Sequence, residues 1–288
     1  MAGNVAVIAV CGHEAAYGRA LEGRLGPDVG IVPNGRALFR TVAAHLRRGK
    51  RAVVVPMTLG REPGLVADTA RTLRAVPDAG PGAVLLTEPF GTAQHLVAWL
   101  RAAAGRVPAD SALLVAAPSG DPFEDAELHR VAALVRRYGR HTLVEVAFDG
   151  GDPGPAEGAR RCALLGAERV TLLPASFTAV DPGGAATVPV ADAGPLVPDP
   201  ALRRVLDERV ADAHRRWSEH GDDGISAGLA AADHHGHAHT HPPGEGHGHS
   251  HDHGHAHGHP HEHGPGTGHR HHHHPSAAGA DRGIRSIA

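Results

Sequence analysis

The sequence predicts an α/β fold of two similar lobes, each an open parallel sheet flanked by helices, followed by a disordered tail. Three observations predict it. Short apolar runs rich in Val, Ile and Ala alternate with amphipathic helical stretches. The alternation is gone through twice, with a period of roughly 110 residues. Toward its end the chain loses all periodicity and becomes mostly His, Gly and Pro, a composition that cannot bury enough apolar surface to order its backbone. Hydrophobic residues make up 41% of the chain and aromatics only 3%, so the core must be built from Ala, Val and Leu, as in parallel sheets covered on both faces.

Strands are expected in the first half at residues 5–10, 30–32, 52–57 and 83–87. Between them, Leu38, Val42, His45 and Leu46, and then Leu65, Val66, Thr69, Ala70 and Leu73, recur at the three- and four-residue spacing of a helix face. After a loop at 105–110 the order repeats, with strands expected at 112–116, 142–147, 170–173 and 187–190. RRGKRAVVVPMTLG parallels LLGAERVTLLPASF, and LTEPFGTAQHLVAWLRAA parallels VADAGPLVPDPALRRVLDERVADA. The expected organisation is a lobe over 1–107, a degenerate second lobe over 108–220 and a tail over 221–288, with the folded part ending near Trp217. Two such sheets in one chain make a monomer of two lobes the simplest arrangement, with the ligand site at the strand C-termini.

Composition also excludes classes. The formal net charge is −3 with histidine neutral, and no Lys/Arg cluster interleaves with aromatics, so nucleic acid is not an expected partner. The opening MAGNVAVIAVCGHE has no basic leader and too short an apolar run for a span, so a membrane is not expected either. The two cysteines, Cys11 and Cys162, form no CxxC pair, which fits a reducing cytoplasm. Gly12, Gly60 and Gly91 lie at strand ends without a GxGxxG or Walker pattern, which gives no support for nucleotide binding.

The chemistry-bearing residues gather at strand ends. The first strand runs into Cys11-Gly12-His13-Glu14, placing an imidazole and a carboxylate at the mouth of a sheet. Glu62, after the third strand, and Glu88, after the fourth, are expected to reach the same cleft. Imidazole with carboxylates suits a labile divalent cation. The same residues also suit bland roles: His13 as a loop hydrogen-bonder, the glutamates as helix N-terminal charges, and Cys11 as a small buried hydrophobe. Arg61 suits either a substrate carboxylate or a local salt bridge.

The pattern of strand–GHE, strand–VP–loop–Asp68 and strand–EPFG, over about residues 5–215, resembles the class II chelatases of the CbiX type. These proteins insert cobalt or nickel into sirohydrochlorin without ATP. The resemblance implies that His13 is a metal ligand and proton acceptor, and that a tetrapyrrole and a divalent ion, cobalt or nickel, are the substrates. From their placement at the strand ends, His13, Glu14, Glu62 and Glu88 are the catalytic candidates for ligand and base, with Arg61 a candidate contact for a substrate carboxylate. One departure stands out. The family carries a second histidine shortly before an acidic residue that looks like Asp68, whereas this chain reads GREPGLVAD, with Gly64 at that place and no histidine at the matching loops VAAPSGDPF and LLPASFTAV. Glu62 is the candidate replacement ligand.

The tail is a metal collector in this reading. Of the 26 histidines, 19 lie from His234 onward. Its expected ligands are His234, His235, His237, His239, His241, His247, His249, His251, His253, His255, His257, His259, His261 and His263, suited to cobalt, nickel or zinc. The function expected is metal insertion in cobalamin or related cofactor biosynthesis. The alternative is a non-catalytic metal store or metallochaperone that kept the fold, which the missing histidine favours.

Overall fold

The computed structural model describes residues 4–77, 80–183 and 187–231; the histidine-rich run from His234 lies outside them. Eight strands form two four-stranded parallel sheets. The first holds β1 (Val5–Cys11), β2 (Val29–Pro33), β3 (Arg51–Met57) and β4 (Val84–Leu86), in the order β2-β1-β3-β4. The second holds β5 (Ala112–Pro118), β6 (Val144–Asp149), β7 (Val170–Pro174) and β8 (Val190–Asp192), in the order β6-β5-β7-β8. The topology is therefore the same in both halves, as the internal repeat predicts. The last strand is displaced from the expected 187–190 to Val190–Asp192.

Side chains along each strand alternate between two cores because successive residues point to opposite faces. Ile8, Val10 and Val54 pack outward against α1 (Arg36–Arg47) and α2 (Pro63–Arg74). Ala9, Val55 and Met57 point inward. In the second sheet Leu114, Ala116 and Leu172 face α5 (Pro155–Leu164), while Leu113, Val115 and Leu173 face inward. The inward faces of both sheets share one continuous core with α3 (Ala93–Ala104) and α4 (Pro122–Arg137).

The lobes also exchange their last helices. Helix α6 (Asp199–His220), from the second half, packs on β3 and β4 of the first sheet, where Ala213 meets Val53 and Leu85. Helix α3, from the first half, packs on β7 and α4 of the second. A boundary between 107 and 108 thus separates the sheets but not the cores.

The expected end of the fold near Trp217, with a tail from 221, is corrected by α7 (Ile225–Ala230). Asp223 accepts a hydrogen bond from the Leu86 amide at 2.8 Å, covering the edge strand β4. Ile225 and Leu229 then join the outer core of the first sheet. Gly228 permits this approach: a Cβ there would lie 2.5 Å from a Leu86 methyl and 3.0 Å from the Ala70 Cβ. Six residues carry too short a period to be recognised in sequence.

A chain ending at His220 should therefore lose about 2–4 kcal/mol of unfolding free energy, the scale of two partly buried aliphatic side chains and one edge hydrogen bond. A chain ending at Ala231 should keep full stability. Urea midpoints of the two chains check this; equal midpoints would remove α7 from the fold's energetics.

Candidate functional site

Strands β1 and β3 are neighbours, with Cys11 opposite Met57, so the loops that follow them emerge side by side at the C-terminal edge of the first sheet. The β1 loop carries His13 and Glu14 at the start of a distorted 3-10 segment (His13–Leu21), in which Ala16 and Tyr17 hold left-handed φ of 48° and 56°. Non-glycine residues enter that region only where surrounding structure imposes it. The β3 loop, Thr58 to Glu62, leads into α2 through Pro63, whose missing N–H costs nothing in a first turn.

These loops interlock through hydrogen bonds. Glu62 Oε1 accepts from both the backbone N–H and ring Nδ1 of His13. The Thr58 hydroxyl donates to Glu14 Oε2, which also accepts from the Leu59 amide at 2.9 Å. The same hydroxyl accepts from the amides of Gly60 at 2.9 Å and Glu62 at 3.3 Å. Gly12 allows the carboxylate of Glu62 to lie against the chain: a Cβ there would fall 2.3 Å from Oε1.

The second lobe completes the corner. Glu124, in the first turn of α4, brings Oε2 to 3.7 Å from His13 Nε2. That nitrogen is buried and makes no hydrogen bond, and neither do Glu14 Oε1 and Glu62 Oε2. Three buried polar atoms without hydrogen-bond partners in one corner carry a desolvation cost.

Proton affinities reflect the crowding. Glu14 is fully buried, and desolvation followed by the charge of Glu62 pushes its carboxyl up to about 7, against the opposing pull of Arg61 and two hydrogen bonds. Burial alone would lower the His13 pKa. It is outweighed by the hydrogen bond to Glu62 and by the charges of Glu62, Glu124 and Glu14, so the net shift is upward. Glu124 is also raised, chiefly by desolvation. The Cys11 thiol is pushed up to about 12 by burial and by Glu62; it stays protonated and behaves as a small hydrophobe.

Two expected residues are corrected. Arg61 does not present its guanidinium to a cavity: its side chain is wholly buried and paired with the second lobe, the local salt-bridge role. Its Nη atoms donate to the Pro118 carbonyl at 3.3 Å, Nη2 to Asp125 Oδ1 at 3.2 Å, and Nε to the Glu124 carbonyl at 3.4 Å. Glu88 does not join the His13 corner. Strand β4 is separated from β1 by β3, so its loop opens one strand further out, where Glu88 lies 3.6 Å from Arg216 Nη1 with its side chain 62% exposed.

Glu88 and Glu62 nevertheless line one cavity of about 690 Å³. Its walls come from the β3 loop and α2, from the β4 loop and the start of α3, from Arg130 and Arg216, and from the α7 segment. Among the described residues no group of three His, Cys, Asp or Glu side chains is already set to hold a metal ion. Both cysteines are free and buried, and no helix of the described residues is long and apolar enough to cross a membrane.

Glu124, Asp125 and Thr58 were not reached from sequence. The signal for Glu124 was present: Asp121-Pro122-Phe123-Glu124 is a capping box with proline in the first turn, and both reciprocal hydrogen bonds form. It marks where α4 begins but not that this end abuts His13.

Because Arg61 is buried, Arg61→Met should destabilise the protein by about 3–5 kcal/mol, the usual cost of stranding the partner of a buried ion pair. Denaturant titration measures it, and a loss under about 1 kcal/mol would show that the guanidinium is not what joins the lobes.

No family model matches the chain, and no curated protein matches it. Among solved structures it is similar to one described as CbiX, the terminal enzyme for biosynthesis of siroheme in denitrifying bacteria. That likeness is 20% identical with a TM-score of 0.48, covering 73% of this chain and 99% of the other.

Proposed function

We propose that this protein is an ATP-independent metal chelatase. It takes a divalent ion, cobalt or nickel, at the His13 corner and inserts it into a sirohydrochlorin-type tetrapyrrole held in the adjoining cavity, in cobalamin or related cofactor biosynthesis. The observation that carries the reading is the partnerless His13 Nε2, buried beside the free oxygens of Glu62 and Glu14. An imidazole and carboxylates form a borderline donor set suited to such ions. The incomplete set fits transfer: an ion that must pass to four pyrrole nitrogens is better held by an open site than by a closed cage.

Insertion exchanges one divalent ion for two protons. The tetrapyrrole loses both pyrrole N–H protons as its four nitrogens bind the metal, and those protons need acceptors within hydrogen-bond reach. His13 becomes an acceptor once the ion leaves its ring. Glu14, with its carboxyl near 7, is poised to take and release a proton at neutral pH. Glu62 orients His13 through Nδ1, which leaves Nε2 as the free donor. Both lobes lie in one chain, so a monomer suffices.

The His13→Ala variant should stay folded and lose insertion by about 100-fold or more, the scale of a positioned acid–base group; Glu62→Ala should impair metal affinity as well as rate. Insertion is followed by the absorbance of sirohydrochlorin with cobalt, with and without protein. Because His13 must be neutral to bind an ion and its pKa is raised, and Glu14 titrates near 7, the rate should climb between pH 6 and 8. Acceleration that survives His13→Ala, or a flat profile, would count against this assignment. Cobalt binding without any acceleration would favour the metal-store reading, which Gly64 in place of the family's second histidine supports.

The histidine run from His234 serves in this reading as a reservoir for cobalt, nickel or zinc, its closely spaced imidazoles raising the local metal concentration. Truncation after Ala231 should then remove most bound ions while sparing turnover at saturating metal. Calorimetric titration of the full and truncated chains tests this, and equal stoichiometry would exclude the reservoir. Binding by the tail should weaken from about pH 7.5 to 5.5 as imidazoles protonate.

A further inference from the structure

We infer that Arg216, assisted by Arg130, is the carboxylate-recognising side of the cavity, so that its ligand has an apolar body and at least two carboxylates. This rests on the chelatase reading and assigns the substrate contact that Arg61 cannot make. Arg216 projects from α6 with its side chain 21% exposed, and both arginines line the cavity. One donor of Arg216 is committed, Nη2 to the Leu86 carbonyl. Its two carboxylate neighbours stand at ion-pair distance, Glu88 at 3.6 Å and Asp222 at 3.4 Å, and Nε makes no hydrogen bond. A guanidinium offers five N–H donors in a rigid fork; here Nη2 stays on the Leu86 carbonyl and Nε is buried beside Asp222, so Nη1, which faces only the exposed Glu88, is the donor a ligand carboxylate takes by replacing Glu88.

Arg130, on α4, commits Nε and Nη2 to Glu127 and keeps Nη1 for a second anionic group. The first turns of α2 and α3 also open on this cavity through Pro63, Ala93 and Gln94, adding the partial positive charge of two helix starts. Glu62 does not cancel it, because its carboxylate is turned to His13. Glu88 is exposed and weakly paired, so a ligand carboxylate displaces it from Arg216 at little cost. Pro63, Val66, Pro89 and Ala227 supply the apolar wall.

The test is fluorescence titration of the full-length protein with uroporphyrin, a tetrapyrrole bearing eight carboxylates. The variants are Arg216→Gln, Arg216→Lys and Arg130→Gln, with Arg160→Gln on α5, away from the cavity, as a control for net charge. Arg216→Gln should raise the Kd at least about tenfold, the scale of a charge-assisted hydrogen-bonded pair. Arg130→Gln should raise it less, Arg216→Lys should recover part of the loss, and Arg160→Gln should change nothing. Circular dichroism melts confirm that the variants are folded; if Arg216→Gln does not fold, Arg216→Lys and Arg130→Gln carry the test. Tight wild-type binding with variants no weaker than Arg160→Gln would overturn the inference alone. No binding by the wild type would overturn it together with the tetrapyrrole reading.

Discussion

The buried guanidinium of Arg61 is the interaction on which the site depends. It lies between Gly60 and Glu62 in the chain, and all its partners belong to the second lobe: the Pro118 and Glu124 carbonyls and the Asp125 carboxylate. Asp125 in turn accepts from the Ser119 hydroxyl and the Gly120 amide, both at 2.9 Å. A charge this deep is tolerated only when nearly every donor is used. Satisfying it fixes the start of α4 against the β3 loop, and that placement brings Glu124 up to His13. A reciprocal tie runs from the Phe177 amide, after β7, to the Glu14 carbonyl, after β1, at 3.0 Å. These two ties are reciprocal: in each, the loop after one sheet's third strand holds the loop after the other sheet's first.

The exchange of α3 and α6 serves the same end at larger scale. Each helix covers apolar strand surface in the half it does not belong to, so separating the lobes would expose inward faces of both sheets to water. Apolar burial is roughly proportional to area, and a shared core makes the interface behave as an interior and not as a hinge. A corner assembled from two lobes can hold a 3.7 Å approach between His13 and Glu124 only if the lobes do not drift.

Most of the fold was legible because strands buried on both faces write themselves as continuous apolar runs, and the internal repeat showed that the second half follows the first. His13, Glu14 and Glu62 were legible for a related reason: strand C-termini in such sheets carry the ligand-facing loops, and β1 and β3 are neighbours. Glu88 misled because reaching the same sheet edge does not mean reaching the same point along it. Arg61 misled because nothing local distinguishes a guanidinium bound for solvent from one bound for another lobe's carbonyls. Helix α7 escaped because the two aliphatic side chains that bury it, Ile225 and Leu229, sit in a Gly- and Ala-rich stretch with no visible period.

The energetics of the corner join its structure to its chemistry. Glu14 titrates in the fold at about 7, above its ordinary 4.5, so its favourable contribution is fully present below 4.5 and fades as pH climbs to about 7. His13 is raised above 6.5, so its contribution is present below 6.5 and is lost as pH rises through its folded value. Both shifts have the same sign, and the fold therefore holds protons here until near neutrality. Once they leave, Glu14, Glu62 and Glu124 face a neutral imidazole, and the nearby Arg61 charge is itself engaged by Asp125. On the proposed chelatase reading, a divalent cation would restore the balance that the departing protons removed, and a corner that had passed its cation to an acceptor giving up two protons would be disposed to receive them; uptake of metal and acceptance of protons would then be one electrostatic property seen from two directions.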